Sequence, residues 1–328
     1  MRADLRRRAV PAAVVLAGLA AALVLPRLIY PVLALEILLW GLFAMSVDLL
    51  LGFAGLLSFG HAAFWGIGGY SAALLAQAFQ LPFPIAALAG MVASALLAVP
   101  FGFLSIRRKG IYFAMVTLAF AQLIFYVMNE WRSLTGGENG VQGVPRLLPG
   151  LSVGRSMDFY YAALPLILVG FFVAHRIVRS PFGHVLAAIR DNEARAQSLG
   201  YATWRYKLLA FVLSGALAGL AGSLYALGHG FASLELLHWT TSGEVVLMTI
   251  LGGIGTLWGG LLGAAIVLFI RDTLSTASEA SGVVTGAIFL VIVLAFRRGV
   301  LGTLGERLGS VRNRRGPAAV VERDTTGA

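Results

Sequence analysis

Residues 31–51 read PVLALEILLWGLFAMSVDLLL, with Glu36 and Asp48 as the only charges. As a helix rising about 1.5 Å per residue, such a segment reaches across about 30 Å, the thickness of a bilayer's hydrocarbon core. It has no period-two alternation, so it does not read as a strand of a membrane barrel. Blocks of the same kind recur at 9–26, 60–79, 84–106, 110–128, 158–175, 208–229 and 281–296, separated by short polar interruptions. The whole chain of 328 residues is 59% hydrophobic and 12% charged, against about 45–50% and about 25% for soluble domains. That balance excludes a soluble enzyme, a nucleic-acid reader and a disordered scaffold. The fold class it predicts is all-α, a polytopic transmembrane helical bundle with eight full spans.

The net charge of +10 is informative by position. With the N-terminus inside, alternating the eight spans puts basic clusters in the cytoplasm at the N-terminus, at Arg107-Arg108-Lys109, in 176–207 and in 297–328. They hold 20 of the 25 basic residues; only Arg27, Arg132, Arg146, Arg155 and Arg271 lie outside. This is the asymmetry of a multi-pass protein of the bacterial inner membrane with both termini cytoplasmic. The first segment follows four arginines but no small-residue cleavage site precedes polar sequence, so it reads as an uncleaved helix. Residues 1–300 form the transmembrane domain, with 176–207 as a cytoplasmic loop; 301–328 form a basic, disordered cytoplasmic tail.

Two cytoplasmic ends require an even number of crossings, so region 243–271 must cross twice or not at all, for 8–10 crossings in total. It contains Gly252, Gly253, Gly255, Gly259, Gly260 and Gly263 and is too long for one helix. It reads as a glycine-broken hairpin or a re-entrant loop, shielded within the bundle because irregular backbone is not tolerated against lipid. Gly255-xxx-Gly259-xxx-Gly263 and Gly215-xxx-Gly219 also fit close helix packing. Packing and a pathway role are compatible.

Catalytic chemistry is hard to find. There is no cysteine, and 23 of the 25 basic residues are arginine, leaving Lys109 and Lys207 as the only lysines. No phosphate-cradling loop ending in Gly-Lys-Ser/Thr occurs. The run Thr135–Gly143 has no following lysine, and Gly66-Ile67-Gly68-Gly69-Tyr70 lies mid-span, where helix packing explains it. The five histidines are scattered singly and offer no metal-ligand spacing. We therefore expect no catalytic residue, metal or cofactor. Glu36 lies near the outer end of its span and Asp48 near the inner end, neither with an evident basic partner, and no acidic chain crosses the membrane as a proton relay would. This argues against an ion-coupled secondary transporter, and no nucleophile–base pair supports an intramembrane enzyme.

Loop 176–207 is the most informative polar segment. Ser180 can cap a helix, Pro181 suits its first position and Gly200 its stop. Phe182, Val185, Leu186 and Ile189 fall on one face, with Arg190, Asp191, Asn192, Glu193 and Arg195 on the polar side. The spacing predicts one amphipathic helix over about 182–199, either resting on lipid headgroups or offering its apolar face to a cytoplasmic motor.

At this point four ordered blocks resemble a known family. Asp48 through Phe64 (DLLLGFAGLLSFGHAAF) is similar to the signature of branched-chain amino acid ABC transporter permeases of the LivM type. Gly110–Ala119 with Leu134–Gly137, Ser180–Gly183 through Gly200, and Leu251–Gly259 follow in order, so the resemblance covers about 35–300. It implies a membrane-spanning permease without its own ATPase site. Its partners would be a second homologous permease subunit, two cytoplasmic ATP-binding subunits and an extracytoplasmic solute-binding protein, within the lipid bilayer and without nucleic acid. Leucine, isoleucine and valine are the expected cargo, with urea, short-chain amides or another small organic solute as alternatives. The resemblance makes 176–207 the loop that couples to the ATPases, through Phe182, Leu186, Ile189, Arg190, Glu193 and Gly200. Here Glu193-Ala194-Arg195-Ala196 precedes Gly200 with one residue more than the family's usual Glu-Ala-Ala…Gly spacing, and Asp48 stands where the family pattern has Asn. Within the matching blocks, Asp48, Ser58, His61, Thr117, Gly252, Gly253 and Gly255 are the candidate residues of a translocation pathway.

Overall fold

The computed structural model describes residues 18, 20–148, 151–275, 286 and 299. Residues 20–28 are helical. Helix α1 (Pro31–Asp48) begins on Pro31, whose missing N–H costs nothing at a helix start, and runs into a π-helical turn, Leu49–Ala54. Then come α2 (His61–Phe79), α3 (Phe83–Ser105), α4 (Ile111–Glu130), the single turn α5 (Arg132–Thr135) and α6 (Ser156–Val178). Helices α7 (Pro181–Asp191), α8 (Glu193–Ser198), α9 (Thr203–His229), α10 (Trp239–Gly252) and α11 (Gly259–Ser275) complete the described chain.

Five helices among the described residues are long and apolar enough to cross a membrane: Pro31–Ala54, Phe83–Ser105, Ile111–Glu130, Ser156–Val178 and Thr203–His229. They correspond to the spans expected at 31–51, 84–106, 110–128, 158–175 and 208–229. The span expected at 60–79 is the 19-residue helix α2, which is less apolar because it carries His61, Tyr70, Gln77 and three glycines. Most of 9–26, nearly all of 281–296 and the tail 301–328 lie outside the described residues. The chain is thus a polytopic helical protein.

Helices α1, α2 and α9 form the centre. Their contact depends on missing side chains: a Cβ on Gly68 would stand 2.2 Å from the Gly219 carbonyl oxygen, and one on Gly222 would stand 2.0 Å from that of Trp65. Backbones that close allow hydroxyls to bond across helices, as Ser223 Oγ of α9 does to Gly68 O (2.9 Å), and α3 joins α2 in the same way through Ser94 Oγ to Phe64 O (2.7 Å). The mid-span glycines of 66–69 therefore serve packing. Outside this centre, α3, α4 and α6 expose apolar side chains such as Leu96, Met115 and Phe172.

Region 243–271 is a glycine-broken helical hairpin. Glu244 pairs with Arg271 (3.5 Å), Met248 faces Gly263 and Gly252 faces Gly259, so α10 and α11 run antiparallel with their tip at 253–258. At 14 residues, α10 spans only about 21 Å, short of a full crossing.

The all-α expectation needs one amendment. Four two-residue strands are present: β1 (Val141–Gln142) pairs antiparallel with β4 (Phe231–Ala232), in register Val141↔Ala232, and β2 (Leu147–Leu148) pairs with β3 (Leu151–Ser152). They sit in the connections that follow α4 and α9, where the backbone leaves the helices and its polar groups need partners. This rim is one face of the bundle. The other carries the basic loops at 106–110 and 176–202, joined by an ion pair between Lys109 and Glu193.

Candidate functional site

The hairpin tip is held by an acid. Asp48, fully buried at the end of α1, accepts the Gly255 N–H at Oδ1 (2.7 Å) and the Leu257 N–H at Oδ2 (2.9 Å). The tip that presents those amides to α1 takes positive φ, +119° at Gly253 and +76° at Gly255, which glycine enters freely, and +48° at Leu257, where a side chain makes it costly. Gly52 makes the approach possible, since a Cβ there would lie 2.3 Å from Asp48 Oδ1 and 2.5 Å from the Gly255 nitrogen. Asp48, Gly252, Gly253 and Gly255, expected in a pathway, thus converge on one tightly packed junction at the basic face.

The same junction meets the loop helix. Ser180 Oγ caps α7 by accepting the Gly183 N–H (3.4 Å), with Pro181 next. The Arg190 guanidinium donates to the Gly52 carbonyl and pairs with Asp191. Leu186 and Ile189, expected to offer an apolar face to a partner, are 0% and 2% exposed within this chain, and Phe182 stacks on Tyr206 of α9 at 5.7 Å. That expectation is corrected: an amphipathic helix beneath a bundle buries its apolar stripe on the nearest apolar surface, here its own spans. His184, Ala188, Asp191, Arg195 and Leu199 remain exposed. The single helix expected over 182–199 is also broken, at Asn192, whose extended backbone ends α7 and whose side chain caps α8 by accepting the Arg195 N–H (2.9 Å). Gly200 follows α8 with a φ of +88°.

Glu193 is tied from two sides. Lys207 Nζ, buried at the start of α9, lies 2.6 Å from Oε1, and Lys109 Nζ, at the entry to α4, lies 2.8 Å from Oε2. Burial alone would raise the carboxyl, but hydrogen bonds and charge from Lys109 and Lys207 outweigh it and hold Glu193 below the usual carboxylate range. The chain's only two lysines therefore meet on one carboxylate, an arrangement the sequence reading missed. Their rarity was the available signal.

His61, Ser58 and Thr117 lie above this junction. His61 Nε2 is 2.8 Å from Ser214 Oγ, which in turn donates to the Ser46 carbonyl, and the ring is fully buried against Phe64 and Phe211. Ser58 Oγ accepts the Gly60 N–H (3.2 Å), and Thr117 Oγ1 accepts the Phe59 N–H (3.2 Å) while donating to Ala114 O (2.9 Å). These bonds fix the loop 55–60 against α4, beside a groove of about 380 Å3 lined by Gly55, Leu57, Phe59, Gly110 and Phe113. At the opposite face Glu36, expected to lack a basic partner, meets His229 (Oε1 to Nε2, 2.9 Å). The other ring nitrogen, Nδ1, lies 2.9 Å from Tyr225 O, so both ring nitrogens of His229 have a partner. The partner sits 193 positions away, beyond any local pattern. Among the described residues, no group of three His, Asp or Glu could hold a metal ion.

A family model described as the permease component of branched-chain amino acid transport systems matches residues 29–293. The chain belongs to that permease family. In this permease the match takes in the Asp48 junction, the loop helices and the hairpin. It is 31% identical over 285 residues to the high-affinity branched-chain amino acid transport permease LivM of Salmonella typhimurium, covering 78% of this chain and 66% of that one, just under two thirds of its length. It is 26% identical to the LivH permease of Escherichia coli K12, over 80% of this chain and 91% of the relative. A shorter match, 36% identical over 46% of the chain, is to the autoinducer 2 import permease LsrC of Klebsiella pneumoniae. No solved structure gives a significant match.

Proposed function

We propose that this permease is the membrane-spanning subunit of an ATP-driven importer for leucine, isoleucine and valine. It would work with a second, similar permease, two cytoplasmic ATP-binding subunits and an extracytoplasmic binding protein that delivers the cargo. The basic face is then cytoplasmic, and helices α7 and α8 are what the ATP-binding subunits grip. The observation that carries this reading is the continuous contact from that loop to the spans. Arg190 bonds the π-turn at Gly52, Gly52 packs on Gly255, and Asp48 holds the hairpin tip. Glu193 ties the same loop to α4 and α9.

A partner that cycles between two states as it binds and hydrolyses ATP can shift a permease only through contacts that differ between those states. Its grip falls on the exposed side of α7 and α8, around His184, Asp191 and Arg195, while the buried Leu186 stripe carries the motion inward. Asp48, Ser58, His61, Thr117, Gly252, Gly253 and Gly255 belong to the moving junction next to the pathway. The deciding experiment is proteoliposome uptake with the chain alone and with its neighbouring ATPase, permease and binding-protein subunits. Expected is leucine uptake that needs internal ATP and every subunit. Uptake by the chain alone down an ion gradient would overturn the proposal, and ATP-driven uptake of urea but not leucine would overturn its cargo.

A further inference from the structure

A lateral groove of about 320 Å3 opens where α3 ends and α9 begins, lined by Phe103, Ile106, Arg107, Trp204 and Leu208. Its walls are apolar, and its basic-face end carries guanidinium groups laid on aromatic rings. Arg107 Cζ stands 4.6 Å from the Phe103 ring centre and Arg205 Cζ 5.4 Å from that of Trp204. Arg108 follows Arg107 in sequence and is likewise exposed. Among the described residues, none of these three arginines has a carboxylate within ion-pair distance. The nearby Lys109 and Lys207 are by contrast both committed to Glu193. An apolar cleft, an exposed tryptophan at its edge and guanidinium groups with no carboxylate partner among the described residues describe one ligand chemistry: an acyl chain along the cleft and an anionic phosphodiester at the arginines. Arginine's planar fork suits phosphate oxygens, and stacking on a ring fixes the fork's direction in advance.

We propose that this groove binds an anionic phospholipid of the adjoining leaflet, its phosphate between Arg107 and Arg205 and a chain along Phe103 and Leu208. The occupant is lipid rather than free phosphate because most of the lining is apolar, which inorganic phosphate leaves uncovered. The site requires that the chain is embedded in a membrane and is independent of its cargo.

The test is native mass spectrometry of the full chain in detergent, titrated with phosphatidylglycerol or phosphatidylcholine of the same acyl chains. Phosphatidylglycerol should bind selectively, and Arg107→Gln with Arg205→Gln should weaken it about thirty-fold, or about five-fold per arginine. The paired Arg→Lys variants should keep the preference for the anionic lipid, which is one of charge, but bind it more weakly than the parent, because they lack the stacked planar fork. Both arginines are exposed, so an unchanged melting temperature is expected and shows that the loss is not unfolding. A photo-cross-linker at Leu208, activated in native membranes, should yield a lipid adduct. Equal retention of both lipids, an unaffected glutamine variant, displacement by equimolar inorganic phosphate, or a cross-link to protein would each overturn the proposal.

Discussion

Removing the Asp48 carboxyl tests the junction at its centre. Asp48→Ala leaves the Gly255 and Leu257 amides without their acceptors in a buried setting, and each orphaned N–H costs about 1–3 kcal/mol. Relief of the carboxylate's own desolvation offsets part of this, so the lower end of the summed range, about 2 kcal/mol, is the appropriate figure. Opening of the hairpin tip should then rise about thirty-fold. The chain has no cysteine, so Leu257→Cys, at a position 4% exposed, reports that opening directly as its rate of maleimide modification. The rate should rise about thirty-fold in the Asp48→Ala background. Asp48→Asn, which keeps one acceptor, should fall between the alanine variant and the parent. Equal rates in all three backgrounds would refute the reasoning and mean that water or neighbouring groups already satisfy those amides.

Gly68→Ala should destabilise the bundle by about 1–3 kcal/mol through overpacking against Gly219, whereas Gly243→Ala, inside α10 with nothing within 4 Å of its added Cβ, should leave the detergent melting temperature unchanged or slightly raised, because alanine favours the helix. Glu193 has a lowered carboxyl in the folded chain, so its stabilising link to Lys109 and Lys207 is complete above the ordinary value of 4.5 and is lost as the pH falls through the depressed one. The melting difference between the parent and Glu193→Gln should accordingly be constant above that value and vanish in more acid solution; a difference that persists there contradicts the ion-pair account. Single cysteines replacing Arg195 and Gly154 should label from opposite sides of the membrane, Arg195→Cys from the cytoplasm. Labelling of both from one side would remove the basis for the topology.

Local chemistry determined much of this protein from its sequence. Apolar length set which segments become helices, because backbone groups in hydrocarbon must be satisfied within the segment. The ends of the loop helix were legible for the same local reason: Ser180, Pro181 and Gly200 act on backbone within a few residues of themselves. The glycine run of 252–263 announced a break. Other features needed tertiary structure. Nothing near Asp48 in sequence points to amides some 207 positions away, and Glu36 finds His229 only once α1 lies beside α9. The direction of the Leu186 stripe was likewise decided by packing. Periodicity shows that a helix has an apolar face, but which surface covers it depends on what the rest of the chain brings within reach. Arg190 and Glu193 lie on the polar side of that segment, where the resemblance makes them contacts for the ATPases; the fold also sets them on a carbonyl and two lysines, because charges at the edge of a bundle settle on the nearest complementary groups.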